Sequence, residues 1–190
     1  MTWSPWEIVA VLTGLGFLLL AIRENPWCWL SGGISTGIFL VLFWQANLYM
    51  QSLLQAYYVS VSVYGWWHWR RGATGSGPLA VQSWTLSRHV MVTVLILGLG
   101  IANGYLLGSS TDSRLPYLDA LTTWGGVLTT WMAARKVLQN WLYWLVINAA
   151  AIYMYLGSEL PLTAGLYGVY FILAIFGYLR WKRSYQQPFD

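Results

Sequence analysis

A single cysteine and six acidic residues are all that this sequence offers of two side-chain classes on which much protein chemistry draws. One cysteine, Cys28, permits no internal disulfide, and it is expected to pack at a helix end. The acidic residues are Glu7, Glu24, Asp112, Asp119, Glu159 and Asp190, and all fall in loops, at the ends of apolar runs or on the tail. The two histidines, His68 and His89, also sit at run ends. No ionisable group other than tyrosine lies near the middle of any apolar run. Intramembrane carboxylates, lysines and histidines mark proton relays and ion pathways, so their absence speaks against a proton-driven pump. An intramembrane enzyme would need a nucleophile with its base, or a metal-ligand set, deep in the helices, and neither is present. Only 8% of residues are charged, against about 25% in a soluble domain.

What is present is apolar and aromatic. Of 190 residues 57% are hydrophobic, with 14 tryptophans and 13 tyrosines. A helical span takes ~20 residues, so seven spans use ~140 and leave no room for a soluble nucleotide-binding or ATPase module. The runs predict spans at Trp6–Ile22, Trp27–Trp44, Leu48–Trp69, His89–Leu107, Tyr117–Ala134, Trp141–Gly157 and Leu160–Leu179. The opening MTWSPWE lacks the basic region of a cleavable signal, so the first run reads as a retained span. Gly72–Ser83 and Gly108–Pro116 read as polar loops. Residues 45–47 and Ser158–Glu159 read as tight turns. With seven spans, Arg23, Arg70, Arg71, Arg88, Arg135, Lys136, Arg180, Lys182 and Arg183 fall on one side, and only Arg114 on the other. Basic loops stay cytoplasmic, which predicts an outside N-terminus and a cytoplasmic C-terminus.

The chain also resembles itself. A shift of 112 positions carries Leu48, Leu54, Tyr58, Gly65, Trp69 and Arg71 onto Leu160, Leu166, Tyr170, Gly177, Trp181 and Arg183. It also carries Glu7, Gly14, Ala21 and Arg23 onto Asp119, Gly126, Ala133 and Arg135. One shift serving two helices predicts a parallel repeat. Residues 1–71 form the first three-helix unit, 72–116 a connector with the fourth span, and 117–190 the second unit. Transporters built this way bind substrate at the repeat interface near the midplane.

The polar groups at membrane depth are amides, hydroxyls and rings. Gln51, Gln55, Tyr58 and Ser62 are spaced four, three and four apart and so share a face. On the seventh span Thr163, Tyr167, Tyr170 and Ala174 take the same places. Span six opens NWLYWLVIN, with Asn140, Trp141, Trp144 and Asn148; Ser31 and Ser35 are small polar groups on span two. At 1.5 Å per residue, Asn148 and Gln55 each lie about 10 Å deep from opposite sides. Unpaired amides in hydrocarbon are costly, so they meet each other, backbone, water or substrate. Rings and amides suit a flat heterocycle bearing hydroxyls, more so if it is cationic. Trp3, Trp6, Trp27, Trp66, Trp67, Trp69 and Trp181 read as interfacial anchors. Ala10, Gly14, Gly125, Gly126 and Gly165 read as sites of close helix contact.

Several segments carry a resemblance: LYMQSLLQAYYVSVSVYGWWHW, ENPWCWLSGGIST, LDALTTWGG, and NWLYWLVIN with the closing WKR. With them the chain resembles the PnuC family of bacterial vitamin transporters over nearly its whole length. The resemblance implies a SWEET-like 3+1+3 all-α integral membrane protomer that assembles as a homotrimer in the bacterial inner membrane. It further implies facilitated diffusion of nicotinamide riboside, trapped by cytosolic phosphorylation, without a bound cofactor. The family's binding residues correspond to Gln55, Asn140 and Trp144; facing and depth add Tyr58, Trp141, Asn148, Tyr167 and Tyr170. Relatives assigned to thiamine and riboflavin make these alternative substrates. Two rival classes are a light receptor and the vitamin-binding subunit of an energy-coupling importer. The first needs a mid-helix lysine, whereas Lys182 lies at a helix end. The second typically has six spans and no parallel repeat.

Overall fold

The structure, a computed structural model, describes residues 5–72, 78–111, 114–157 and 161–187. Seven helices follow the apolar runs: α1 Pro5–Ile22, α2 Trp27–Gln45, α3 Tyr49–Arg71, α4 Leu86–Ser110, α5 Pro116–Ala134, α6 Asn140–Gly157 and α7 Pro161–Gln186. Proline stands at the first helical position of α1, α5 and α7, where its missing N–H breaks no helical bond. α4 is longer than expected at both ends, and α7 runs well past Leu179. The turn expected at Ser158 and Glu159, and the start of span seven at Leu160, lie outside the described residues.

Four helices, α1, α2, α4 and α7, are long and apolar enough to cross a membrane on composition alone. The other three, α3, α5 and α6, also carry phenols, indoles, hydroxyls and amides between them. They form much of the protein interior. α2 packs on α1 and α3, α6 packs on α5 and α7, and α4 lies along α5. The first three helices meet the last three through α3 against α5 and α1 against α7.

The turns from α1 to α2 and from α5 to α6 have the same hydrogen bonds, 112 residues apart. Glu24 N–H donates to Ala21 O, and Asn25 N–H to Leu20 O; Lys136 N–H donates to Ala133 O, and Val137 N–H to Met132 O. Both Glu24 and Lys136 are left-handed, with φ of 57° and 54°. Non-glycine residues adopt this region at a cost, so the surrounding contacts must hold it.

Packing repeats in the same register. The Trp29 ring covers Gly65 so closely that a Cβ there would lie 2.4 Å from the indole, and the Trp141 ring covers Gly177, where a Cβ would lie 2.6 Å away. Trp29 meets Trp69 edge to face at 5.5 Å, and Trp141 meets Trp181 at 5.3 Å. Trp69 and Trp181 join the two halves at 5.6 Å. Edge-to-face pairs contribute about 0.5–1.5 kcal/mol each beyond area burial. The indole of Trp69 donates to Ala133 O and Ala134 O, both at 3.2 Å, and that of Trp181 donates to Ala21 O at 2.9 Å. These two tryptophans are therefore core residues, 2% and 0% exposed, and not the interfacial anchors that their place at span ends suggested. Trp6, Trp27 and Trp67 are exposed, as anchors are.

The connector is also tied in. Gln82 forms an isolated parallel bridge with Val137, and Leu79, Val81 and Trp84 are buried. The loop expected over Gly72–Ser83 is thus ordered in its second half; residues 73–77 lie outside the described residues.

Gly65→Ala and Gly177→Ala should each lower stability by about 1–3 kcal/mol, because the new methyl has no space beside an indole. Gly165→Ala meets no atom within 4 Å and should leave stability unchanged or slightly raised. Thermal unfolding of the detergent-solubilised protein distinguishes the three; equal melting temperatures would refute the packing account.

Candidate functional site

The floor of the candidate site is Gly126, midway along α5. A Cβ at this position would lie 3.2 Å from the Tyr58 hydroxyl on α3 and 3.8 Å from the Trp144 ring on α6. A Cβ here would press on the phenol hydroxyl, so glycine lets Tyr58 approach the helix backbone closely, with Trp144 at ordinary contact distance. Next to Tyr58, Tyr57 donates its hydroxyl to Val127 O at 2.8 Å and pins α3 to α5. Its ring meets that of Tyr58 at 5.4 Å.

α7 completes the surround. Tyr167 stacks on Tyr155 of α6 at 5.2 Å and meets Tyr170 edge to face at 5.7 Å. Asn148, one turn of α6 beyond Trp144, is buried at 3% exposure. Among the described residues neither its amide nor that of half-buried Gln55 forms a side-chain hydrogen bond. Such groups retain donors and acceptors for a ligand or water.

Two of the residues singled out in the sequence take other places. Asn140 Nδ2 donates to Val137 O at 2.7 Å and closes the first turn of α6. Trp141 is held between Gly177 and Trp181 at the end of the molecule that carries most of the basic residues. Both support the helix that presents Trp144, without reaching Gly126. Gln51 is exposed, while Ser62 turns its hydroxyl to Tyr58 O in its own helix. Ser31 and Ser35 bond Thr13 O and Ala10 O, both at 2.7 Å, and act as glue between α1 and α2.

The structure adds residues that periodicity did not single out. Tyr57 and Tyr155 belong to the aromatic surround, and Gly126 has the added role of floor. Thr129, one turn from Gly126, is fully buried with its hydroxyl unpartnered. Its neighbour Thr130 bonds Gly126 O within the helix. A scan for glycines spaced a turn from polar residues would have found Gly126; nothing local marks Tyr155. A hollow of about 430 Å³ opens elsewhere, between α4, α5 and α6. Its lining includes Ile96, Leu97, Leu121, Val146 and Ile147, so it offers little to a polar ligand.

Phenols, an indole and amides are groups that can stack on and hydrogen-bond a flat polar molecule. The family profile described as nicotinamide mononucleotide transporter matches residues 4–183. The riboflavin/roseoflavin transporter RibM of Streptomyces davaonensis is 25% identical over 187 residues, covering 94% of this chain and 84% of that protein. The nicotinamide riboside transporter PnuC of Escherichia coli is 22% identical over 207 residues, covering 94% and 85%. The crystal structure of the vitamin B3 transporter PnuC superposes with a TM-score of 0.72 at 20% identity, covering 96% of this chain and 82% of that one. The architecture is therefore that of a multi-pass membrane transporter, and the chain belongs to the nicotinamide mononucleotide transporter family.

Proposed function

We propose that this chain carries nicotinamide riboside across the bacterial inner membrane by uncoupled, facilitated diffusion. The observation that carries this reading is the convergence of Tyr58 and Trp144 on Gly126, with amides at Gln55 and Asn148 that form no side-chain hydrogen bond among the described residues. Indole and phenol faces stack on a pyridinium ring and favour its positive charge. The amides bond ribose hydroxyls. Tyr170 lines the α7 side. Asn140 and Trp141 act by positioning Trp144.

The protomer is read as two parallel three-helix units, residues 1–71 and 117–190, joined by the connector 72–116. The 112-residue recurrence of turns, indole–glycine contacts and helix pairings supports this. The basic end of the bundle is read as cytoplasmic, with the N-terminus outside. The absence of ionisable groups other than tyrosine at mid-helix favours a uniporter, with phosphorylation in the cytosol maintaining the gradient. We also propose a homotrimer. Riboflavin is the second reading, because RibM matches at an identity similar to that of PnuC.

Purified protein in liposomes should equilibrate labelled nicotinamide riboside, and do so faster than riboflavin or thiamine. Accumulation above equilibrium under an imposed proton or sodium gradient would refute uniport, and faster riboflavin entry would reassign the substrate. Trp144→Ala should weaken binding by about 10- to 100-fold, the loss of one stacking partner worth about 1–3 kcal/mol. Gly126→Ala should weaken binding and lower the melting temperature less than Gly65→Ala does, since its methyl would lie 3.2 Å from the Tyr58 hydroxyl and not 2.4 Å from an indole ring. If titration calorimetry finds wild-type affinity in both variants, the site lies elsewhere.

A further inference from the structure

Glu24 and Lys136 are equivalent positions in the 112-residue register, and they touch. Glu24 Oε2 and Lys136 Nζ are 2.8 Å apart, with side chains 18% and 8% exposed. The two left-handed turns aim one carboxylate and one ammonium at each other across the boundary between the halves of the protein. The ammonium also donates to Leu79 O at 2.7 Å and lies 5.1 Å from the centre of the Trp69 ring. Beneath the pair, Trp29, Trp69, Trp181 and Trp141 form an unbroken row of indoles across both halves. Lys136 is ten residues beyond Gly126, about 15 Å along the chain direction of α5. The row and the ion pair therefore stand between the candidate site and the basic end of the molecule.

We propose that the Glu24–Lys136 ion pair and the Trp69–Trp181 contact are the gate that closes the permeation path at the basic end. The proposal rests on the transport reading above and names the element that must part for release on that side. Few groups need move. The pair, the central indole contact and the indole N–H bonds of Trp69 to Ala133 O and Ala134 O and of Trp181 to Ala21 O join the halves at this end, whereas Trp29 with Gly65, and Trp141 with Gly177, each stay within one half. Opening leaves each half packed and exposes two charges to water, which solvates them well. A largely buried pair is suited to this, because its desolvation cost largely offsets its Coulomb gain and both closed and open states remain accessible.

The native sole cysteine reports on this layer. Cys28 is fully buried beside Trp29 and within electrostatic reach of Lys136. A charged, membrane-impermeant maleimide is applied to either face of oriented vesicles. Wild type should label slowly. Glu24→Gln should raise the rate about tenfold from the basic side alone, as the closed state loses its link. Exchanging the charges, Glu24→Lys with Lys136→Glu, should return the rate most of the way to wild type. In wild type, the vitamin that the liposome assay shows to be carried should change the Cys28 rate at least about threefold, because a cycling gate responds to its substrate. Equal labelling from both faces would mean general loosening and would overturn the proposal. So would an unchanged rate in Glu24→Gln, or a wild-type rate indifferent to a vitamin that is transported, which is the behaviour of a fixed staple. The Glu24→Gln arm needs no substrate. Absence of uptake in wild type would instead overturn the transport reading.

Discussion

The close seating of an indole on a glycine, made once in each half, is the constraint on which the rest of the structure depends. At Gly65 and Gly177 a side chain of any size would collide with Trp29 or Trp141. That contact sets how near α2 lies to α3 and α6 to α7. It also leaves Trp69 and Trp181 turned toward each other, with their N–H groups on the exposed carbonyls that end α5 and α1. In hydrocarbon there is little solvent to drive helices together, so packing and hydrogen bonds of this kind carry the association. At two helix C-termini the carbonyls of Ala21 and Ala133 each accept a second hydrogen bond from the opposite half, beside the one from their own turn.

The same economy of side chains shapes the site. Gly126 on α5 admits Tyr58 and Trp144 where its counterpart Gly14 on α1 faces the Ser35 hydroxyl. One half has thus filled the equivalent space with a serine bonded to backbone, while the other leaves rings around a bare stretch of helix. The departure from internal symmetry falls where function is assigned, and the symmetry is kept at the basic end, where the two halves meet through matched turns.

Much of this was legible in the chain. The seven helices follow from runs of apolar residues bounded by proline, glycine and charge, and their bounds agree within a few residues except in α4 and α7. Among the matches behind the shift of 112 are Gly65, Trp69 and their counterparts, whose identities the packing demands, so it could be read before the contacts were seen. Tyr58 was nominated from its facing and Trp144 from the family resemblance, and the fold brings them together. Trp69 and Trp181 show the limit. A tryptophan near a helix end has the same local sequence whether it faces lipid headgroups or the middle of the protein. Asn140 shows it again, because its amide serves a carbonyl three residues back, within reach of any helix start.

Composition and periodicity by themselves determined that the chain is a bundle of membrane helices without charge at depth, because burial in hydrocarbon restricts residue type at nearly every position, and they pointed to an internal repeat. Which residues meet was decided only by the tertiary structure. Glu24 and Lys136 are 112 positions apart and each reads as one more charge in a loop. They become an ion pair because two identical turns are brought face to face by helices distant in sequence, and no local pattern records that distance.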